Sequence, residues 1–348
     1  MPLHENTGVV VPQFHMPYRA RRNPRVDVVR AGTRDWTRQQ GLIGRGGWTA
    51  ERFDGIDLAG LRAWAHPDAS APRLTLVACW YVWLYFIDDF WTDTVMAAGG
   101  PGERVSTRLR AQTRPLMGAD WCARFAESNL RGIEEHGYER AHNPAGRVPT
   151  PLEYAAMRRR GNNGKWAAEL VELAGGTPLP PVVAHSLAVR ELLDCFSDIV
   201  RLHNDIVSHE RETRDEGEVN NGVLVLRAAT GTSAQQAADA VNDALTMRVK
   251  HFEHLSAVDV PATAAAHDLT PADRETVTRY LRGLEDYLAG YYAWHQAAPA
   301  THPSRSRCCP DRPAWAPPRP DSRRTCVPRR AAPIRRRRQR LPHPYPGP

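Results

Sequence analysis

The chain has little that would mark a secreted or membrane-bound protein. Its six cysteines in 348 residues fall as Cys79, Cys122 and Cys195 in the body and Cys308, Cys309 and Cys326 near the end. Apart from the adjacent Cys308 and Cys309, no two stand at metal-ligand spacing, which excludes a disulfide framework and a cysteine zinc centre and suits a reducing cytoplasm. No apolar stretch follows a basic start, so no secretory signal is expected. The longest near-apolar run, Leu74 to Ile87, has 14 residues. That is short of the roughly 20 a membrane span needs, and it reads instead as a buried core helix. Period-two alternation bounded by turn residues is almost absent, which excludes a β-rich fold.

Positive charge is also missing from most of the chain, despite a net +7. Residues 297–348 carry 13 Arg against 2 Asp, a surplus of 11 that leaves the preceding 296 residues at −4. A mildly acidic body gives no footprint for nucleic acid. The tail, rich in Arg and Pro and without an apolar period, cannot bury enough surface to fold alone.

What is present is helical. From about Trp36 to Gln296, apolar residues recur three and four apart, as in LLDCFSDIVRLHNDIV, with Gly and Pro clusters between the stretches. The pattern predicts an all-α single domain of about ten helices over residues 31–296, preceded by an extended arm over 1–30 and followed by a disordered tail over 297–348.

Two constellations carry chemistry. The apolar run ends in IDDFWTD, where Asp88, Asp89 and Asp93 follow Tyr85 at helical spacing and share a face with its ring. Carboxylates this close repel unless a cation or an arginine lies between them. Hard divalent ions take oxygen ligands and bind substrate phosphates as well, so acids at the lip of an apolar pocket suit a greasy diphosphate. Further on, HNDIVSHERE sets Asn204, Ser208 and Glu212 four residues apart. On an α-helix each step of four drifts about 40°, so three oxygens share one stripe and can chelate a hard cation. Arg211 beside them offers forked donors to a phosphate.

Together these segments resemble the aspartate-rich motif, in its DDxxxD form, and the NSE motif of bacterial class I terpene synthases. The resemblance spans roughly residues 10 to 296 and includes the NPRVD arm and the GEVNNGVLVL stretch. It implies a class I terpenoid synthase-like helical bundle around a central apolar cavity. It also implies three Mg²⁺ ions, with Asp88 assisted by Asp89 and Asp93 on one side and Asn204, Ser208 and Glu212 on the other. The diphosphate-sensing arginine of that family, about 46 residues before the NSE asparagine, corresponds to Arg158. The Asp and Gly that usually follow it three and four residues on are Gly161 and Asn162 here, so Asn162 or Asn163 becomes the candidate dipole. Tyr85, Trp166 and Trp294 are the candidate aromatic walls for a carbocation.

The implied activity is ionisation of a linear isoprenyl diphosphate, farnesyl diphosphate by preference, and cyclisation to a sesquiterpene hydrocarbon or alcohol. A soluble cytoplasmic enzyme, which the resemblance allows to be a homodimer, is expected. Geranylgeranyl diphosphate, and chain elongation by a trans-prenyl transferase, are the alternative uses of the same fold. Elongases carry a second Asp-rich motif where this chain has Asn-Ser-Glu. A non-catalytic alternative is an anion-binding protein acting through RRRRQR in the tail. The family's C-terminal Arg-Tyr pair does not follow Trp294, where the sequence reads HQAAPATHPSRSRCC. A frameshift at about residue 297 accounts for the abrupt change in composition, and translating the other frames of the gene tests it.

Overall fold

Where the three-and-four spacing runs, helices form, and the computed structural model describes them over residues 8–44, 46–91, 93–142, 146–161 and 163–297. In chain order they are α1 Val26–Gln39, α2 Ala50–Ile56, α3 Leu58–Ala65, α4 Ala71–Asp89, α5 Asp93–Met96, α6 Pro101–Thr113, α7 Ala119–His142 and α8 Pro151–Gly161. There follow α9 Asn163–Gly175, α10 Pro181–Ala184, α11 Leu187–Glu210, α12 Gly222–Thr230, α13 Ala234–His254, α14 Val260–Ala266 and α15 Pro271–Ala297. The sequence predicts about ten. The structure has more because helices of only four residues, α5 and α10, stand between the long ones, the latter with Pro181 in its first turn. Among the described residues there is no strand, only an isolated bridge between Ile43 and Trp48.

Helix α4 is the hub. Ser70 precedes it in extended conformation, Pro72 sits in its first turn, and its buried residues include Leu74, Val77, Trp80, Trp83, Phe86 and Ile87. Apolar on nearly all sides, it must be surrounded, and α1, α3, α6 and α9 pack around it. Helix α11 plays the same part on the other side, against α9, α12, α13 and α15. It starts where Ser186 accepts a hydrogen bond from the Val189 amide at 3.2 Å, a standard N-cap that satisfies one orphan donor. No helix among the described residues is long and apolar enough to cross a membrane.

The arm ends earlier than the sequence predicts. Pro24 fixes the entry, Asp27 lies in the first turn, and Val26, Val29, Thr33 and Thr37 fall on one buried face of α1. Ahead of it the chain is extended and tied down. The Asn23 side chain donates to the His66 and Ala69 carbonyls at 3.0 and 2.8 Å. Arg21 bridges Asp68 and Asp286 at 2.6 and 2.7 Å.

Close helix packing demands glycine where α9 meets α11 and where α15 meets α3. A Cβ on Gly164 would lie 2.1 Å from Ser197 Oγ, and one on Gly290 would lie 2.0 Å from the Trp64 carbonyl oxygen. The tail expected over 297–348 lies, from residue 298 on, outside the described residues, as does Asn162.

Candidate active site

One pocket gathers residues from both motifs. Asp89 at the end of α4, Asn204 on α11, and Arg211 and Glu212 just past its end line it together with Tyr85 and Trp294. Ile56, Leu58 and Leu61 from α2 and α3 and Tyr291 from α15 complete an apolar and aromatic wall. The pocket is thus oxygen-rich on one side and greasy on the other.

The three oxygens of the second motif do not share one uninterrupted α-helical stripe. Helix α11 ends at Glu210, and Arg211–Glu216 winds as a π-helix, a wider turn that is frequent at functional sites. Glu212 therefore stands in a wider register than Asn204 and Ser208. The Ser208 hydroxyl is buried and donates to the Asn204 carbonyl, one turn back. The Asn204 side chain stands close to the Tyr291 hydroxyl, and both line the pocket. The Glu212 side chain accepts from Asn221 Nδ2 at 3.1 Å and pairs with Arg211 at 3.5 Å.

Asn221 is a residue that the motif reading missed. Fully buried, it caps α12 by accepting from the Val223 and Leu224 amides at 3.0 and 3.4 Å, and it accepts from His209 Nδ1 at 3.2 Å. Its amide nitrogen donates to the Asp205 carbonyl at 2.8 Å as well as to Glu212. The signal was the Asn before GVLVL, which reads as a helix cap; its reach to Glu212 has no local signature.

Arg158 is brought next to the second motif, though not to the pocket wall. It pairs with buried Asp205 at 3.2 Å and donates to the Asn220 carbonyl. The Tyr154 hydroxyl donates to the other Asp205 oxygen. Burial pushes Asp205 up to about 6, while Arg158 pulls the other way. Gly222 leaves room for this group, since a Cβ there would lie 2.7 Å from Asp205 Oδ2.

In the first motif, Asp89 Oδ2 accepts from Trp48 Nε1 at 2.7 Å and from Arg52 Nη2 at 3.2 Å. Trp48 and Arg52 were also invisible in the sequence, standing 41 and 37 residues upstream. Asp88 is half-buried on α4, and Asp93 opens α5; its side chain lies outside the described residues. Among the described residues, no group of three or more His, Cys, Asp or Glu side chains that could hold a metal occurs.

Of the three aromatic candidates, Tyr85 and Trp294 line the pocket. Trp166 does not: 2% exposed, it donates to Asn129 Oδ1 at 2.9 Å and packs on Tyr81 and Phe125, as a core residue. Beneath the pocket, Arg62 is 1% exposed, its guanidinium 3.5 Å from the centre of the Tyr81 ring and 3.1 Å from the Tyr287 hydroxyl. Tyr287 in turn stacks on Tyr291 of the pocket wall. His203, packed among Phe14, Tyr291, Tyr292 and His295, is held neutral by burial.

Oxygen donors and guanidinium groups at the mouth of an aromatic pocket, in an all-α bundle, define a class of enzyme that holds an anion against a divalent metal. Residues 91–251 match the family model for terpene synthase family 2, C-terminal metal binding. Pristinol synthase of Streptomyces pristinaespiralis is 28% identical over 82% of this chain and 83% of its own. Pentalenene synthase of Streptomyces exfoliatus is 27% identical over 82% and 91%. Hedycaryol synthase shares the fold with a TM-score of 0.74, covering 84% of this chain and 100% of its own at 21% identity. Germacradien-4-ol synthase of Streptomyces citricolor does so with 0.70, over 82% and 98% at 23% identity. These matches support a bacterial class I terpene synthase, a lyase of all-α fold whose family model is a metal-binding one.

Proposed function

We propose that the chain binds farnesyl diphosphate with Mg²⁺, ionises it and closes the cation to a sesquiterpene hydrocarbon or alcohol. The observation that carries this reading is the single pocket in which Asp89, Asn204, Arg211 and Glu212 meet Tyr85, Tyr291 and Trp294. Two relatives, corvol ether synthase of Kitasatospora setae and 4-epi-cubebol synthase of Streptosporangium roseum, are named as cyclising (2E,6E)-farnesyl diphosphate.

The donor set fits the expected ion, for its members are hard oxygens of carboxylate, amide and hydroxyl. Asn204, Ser208 and Glu212 would hold one Mg²⁺, and Asp88 with Asp89 and Asp93 two more. Bound there, Mg²⁺ would supply Lewis-acid stabilisation of the diphosphate leaving group. The chain's own groups do the rest. Arg211 presents forked donors to a phosphate oxygen. Arg158, fixed by Asp205 and the Asn220 carbonyl, ties anion sensing to the helix that carries Asn204. Asn221 keeps Glu212 turned toward the pocket. The electron pair of the broken bond leaves with diphosphate, and the faces of Tyr85, Tyr291 and Trp294 attract the cation left behind. Ile56, Leu58 and Leu61 keep water off it until a proton is lost or water adds.

Incubation of the protein with geranyl, farnesyl and geranylgeranyl diphosphates and Mg²⁺, followed by gas chromatography of the extract, tests the reading. A cyclic C15 product from farnesyl diphosphate is expected. No metal-dependent product from any of the three would refute it. Glu212→Gln and Asp88→Asn should each lower turnover at least 100-fold with the melting temperature kept, the cost of losing a preorganised charged group being roughly two to three orders of magnitude.

A further inference from the structure

Arg52 lines the same pocket as Arg211 but comes from α2, far from either motif in sequence. Its backbone is fixed, because the Thr49 hydroxyl accepts from the Arg52 amide at 3.1 Å. Its side chain is 24% exposed and its Nη2 reaches Asp89 Oδ2 at 3.2 Å. That oxygen has a second donor, Trp48 Nε1, at the shorter distance of 2.7 Å. Asp89 therefore stays oriented if the guanidinium leaves it, and Trp48, 1% exposed and packed on Phe53, Phe86 and Phe90, cannot follow. A guanidinium prefers a phosphate anion, with more charge and several oxygens at matching fork spacing, over one shared carboxylate oxygen.

We propose that Arg52 is a diphosphate-binding residue, which exchanges Asp89 for a diphosphate oxygen when the anion enters the pocket while Trp48 keeps Asp89 in place. The inference rests on the pocket being the diphosphate site, as argued above. It differs from a purely structural role for the Arg52–Asp89 pair in having the guanidinium touch the ligand.

Calorimetric titration of the full chain with inorganic diphosphate in saturating Mg²⁺ tests it without turnover. Arg52→Gln should weaken binding about 10- to 100-fold, and Arg52→Lys, which keeps the charge but loses the fork, about tenfold. Arg131→Gln, on the exposed face of α7, should bind as the unaltered chain does. In an Asp89→Asn background the loss caused by Arg52→Gln should persist. If it vanishes there, Arg52 acts only through Asp89 and the proposal is overturned, as it is if Arg52→Lys or Arg52→Gln binds undiminished. No binding by the unaltered chain overturns the reading of the pocket, and this inference with it; retained binding by the Arg52 variants overturns the inference alone.

Discussion

Asn221 joins three parts of the site through one amide: the start of α12, the Asp205 carbonyl and the Glu212 carboxylate. A group that orients a metal-binding side chain typically matters 10- to 100-fold in metal affinity. Asn221→Ala should therefore raise the Mg²⁺ concentration for half-maximal turnover about tenfold or more, and lower stability by about 2 kcal/mol, because buried partners are left unmet. Metal titration of turnover beside a denaturant melt checks both; unchanged metal dependence would free Glu212 from Asn221. Arg62 poses the opposite case. No salt bridge to a carboxylate is seen for it among the described residues, and its desolvation is offset by tyrosines: the Tyr81 ring, the Tyr287 hydroxyl and ring, and Tyr85. Tyr81 and Tyr287 also hydrogen-bond each other at 3.1 Å, so removing the guanidinium strands neither. Arg62→Met should leave stability unchanged or raise it by about 1 kcal/mol. A drop of several kcal/mol on denaturation would show that the guanidinium is better compensated than this geometry allows. Both residues were hidden in the sequence for the same reason: the partners that give them meaning arrive from other helices. The Asn204, Ser208, Glu212 spacing was legible because it needs only one helix.

At the scale of the element, that same spacing misled in one respect. Periodicity reports which face is apolar, and Arg211–Glu216, RETRDE, has no apolar residue to report one, so the change of register at Glu212 left no trace. Trp166 was ambiguous for a related reason. Helix α9 is buried on most sides, and an aromatic there can face cavity or core without altering the pattern. The same burial places Glu169 in α9 with Oε1 accepting from Ser128 at 3.0 Å and Oε2 without a partner. Burial raises its carboxyl to about 8 from 4.5, against the pull of Arg124. The folded protein thus carries it protonated while the unfolded chain ionises it. Its stabilising effect is full below pH 4.5 and is lost as pH rises through 8. Between pH 5.5 and 7.5 that loss amounts to roughly 2–3 kcal/mol at 1.4 kcal/mol per pH unit. Glu169→Gln should remove this slope, measured as the difference between the two proteins' stabilities across that range. Parallel pH curves would place the Glu169 proton elsewhere.

For the whole molecule, the charge division read from the sequence separates a catalytic body from a basic end. Helices α1 to α15 close by Ala297, and the buried apolar core runs from Phe14 to Ala289. Both motifs, both arginines that face the pocket and all its aromatic walls fall before Ala297. We therefore take the unit that binds and cyclises the substrate to end there, and assign the surplus of 11 positive charges beyond it no part in the chemistry. A chain truncated after Ala297 should melt at the same temperature and give the same terpene at a rate within about twofold, while losing salt-sensitive retention on an anionic resin, since that retention scales with the arginines removed. If the truncated chain folds but makes no product where the full chain does, residues past 297 contribute to closing the site, and the basic end is part of the enzyme.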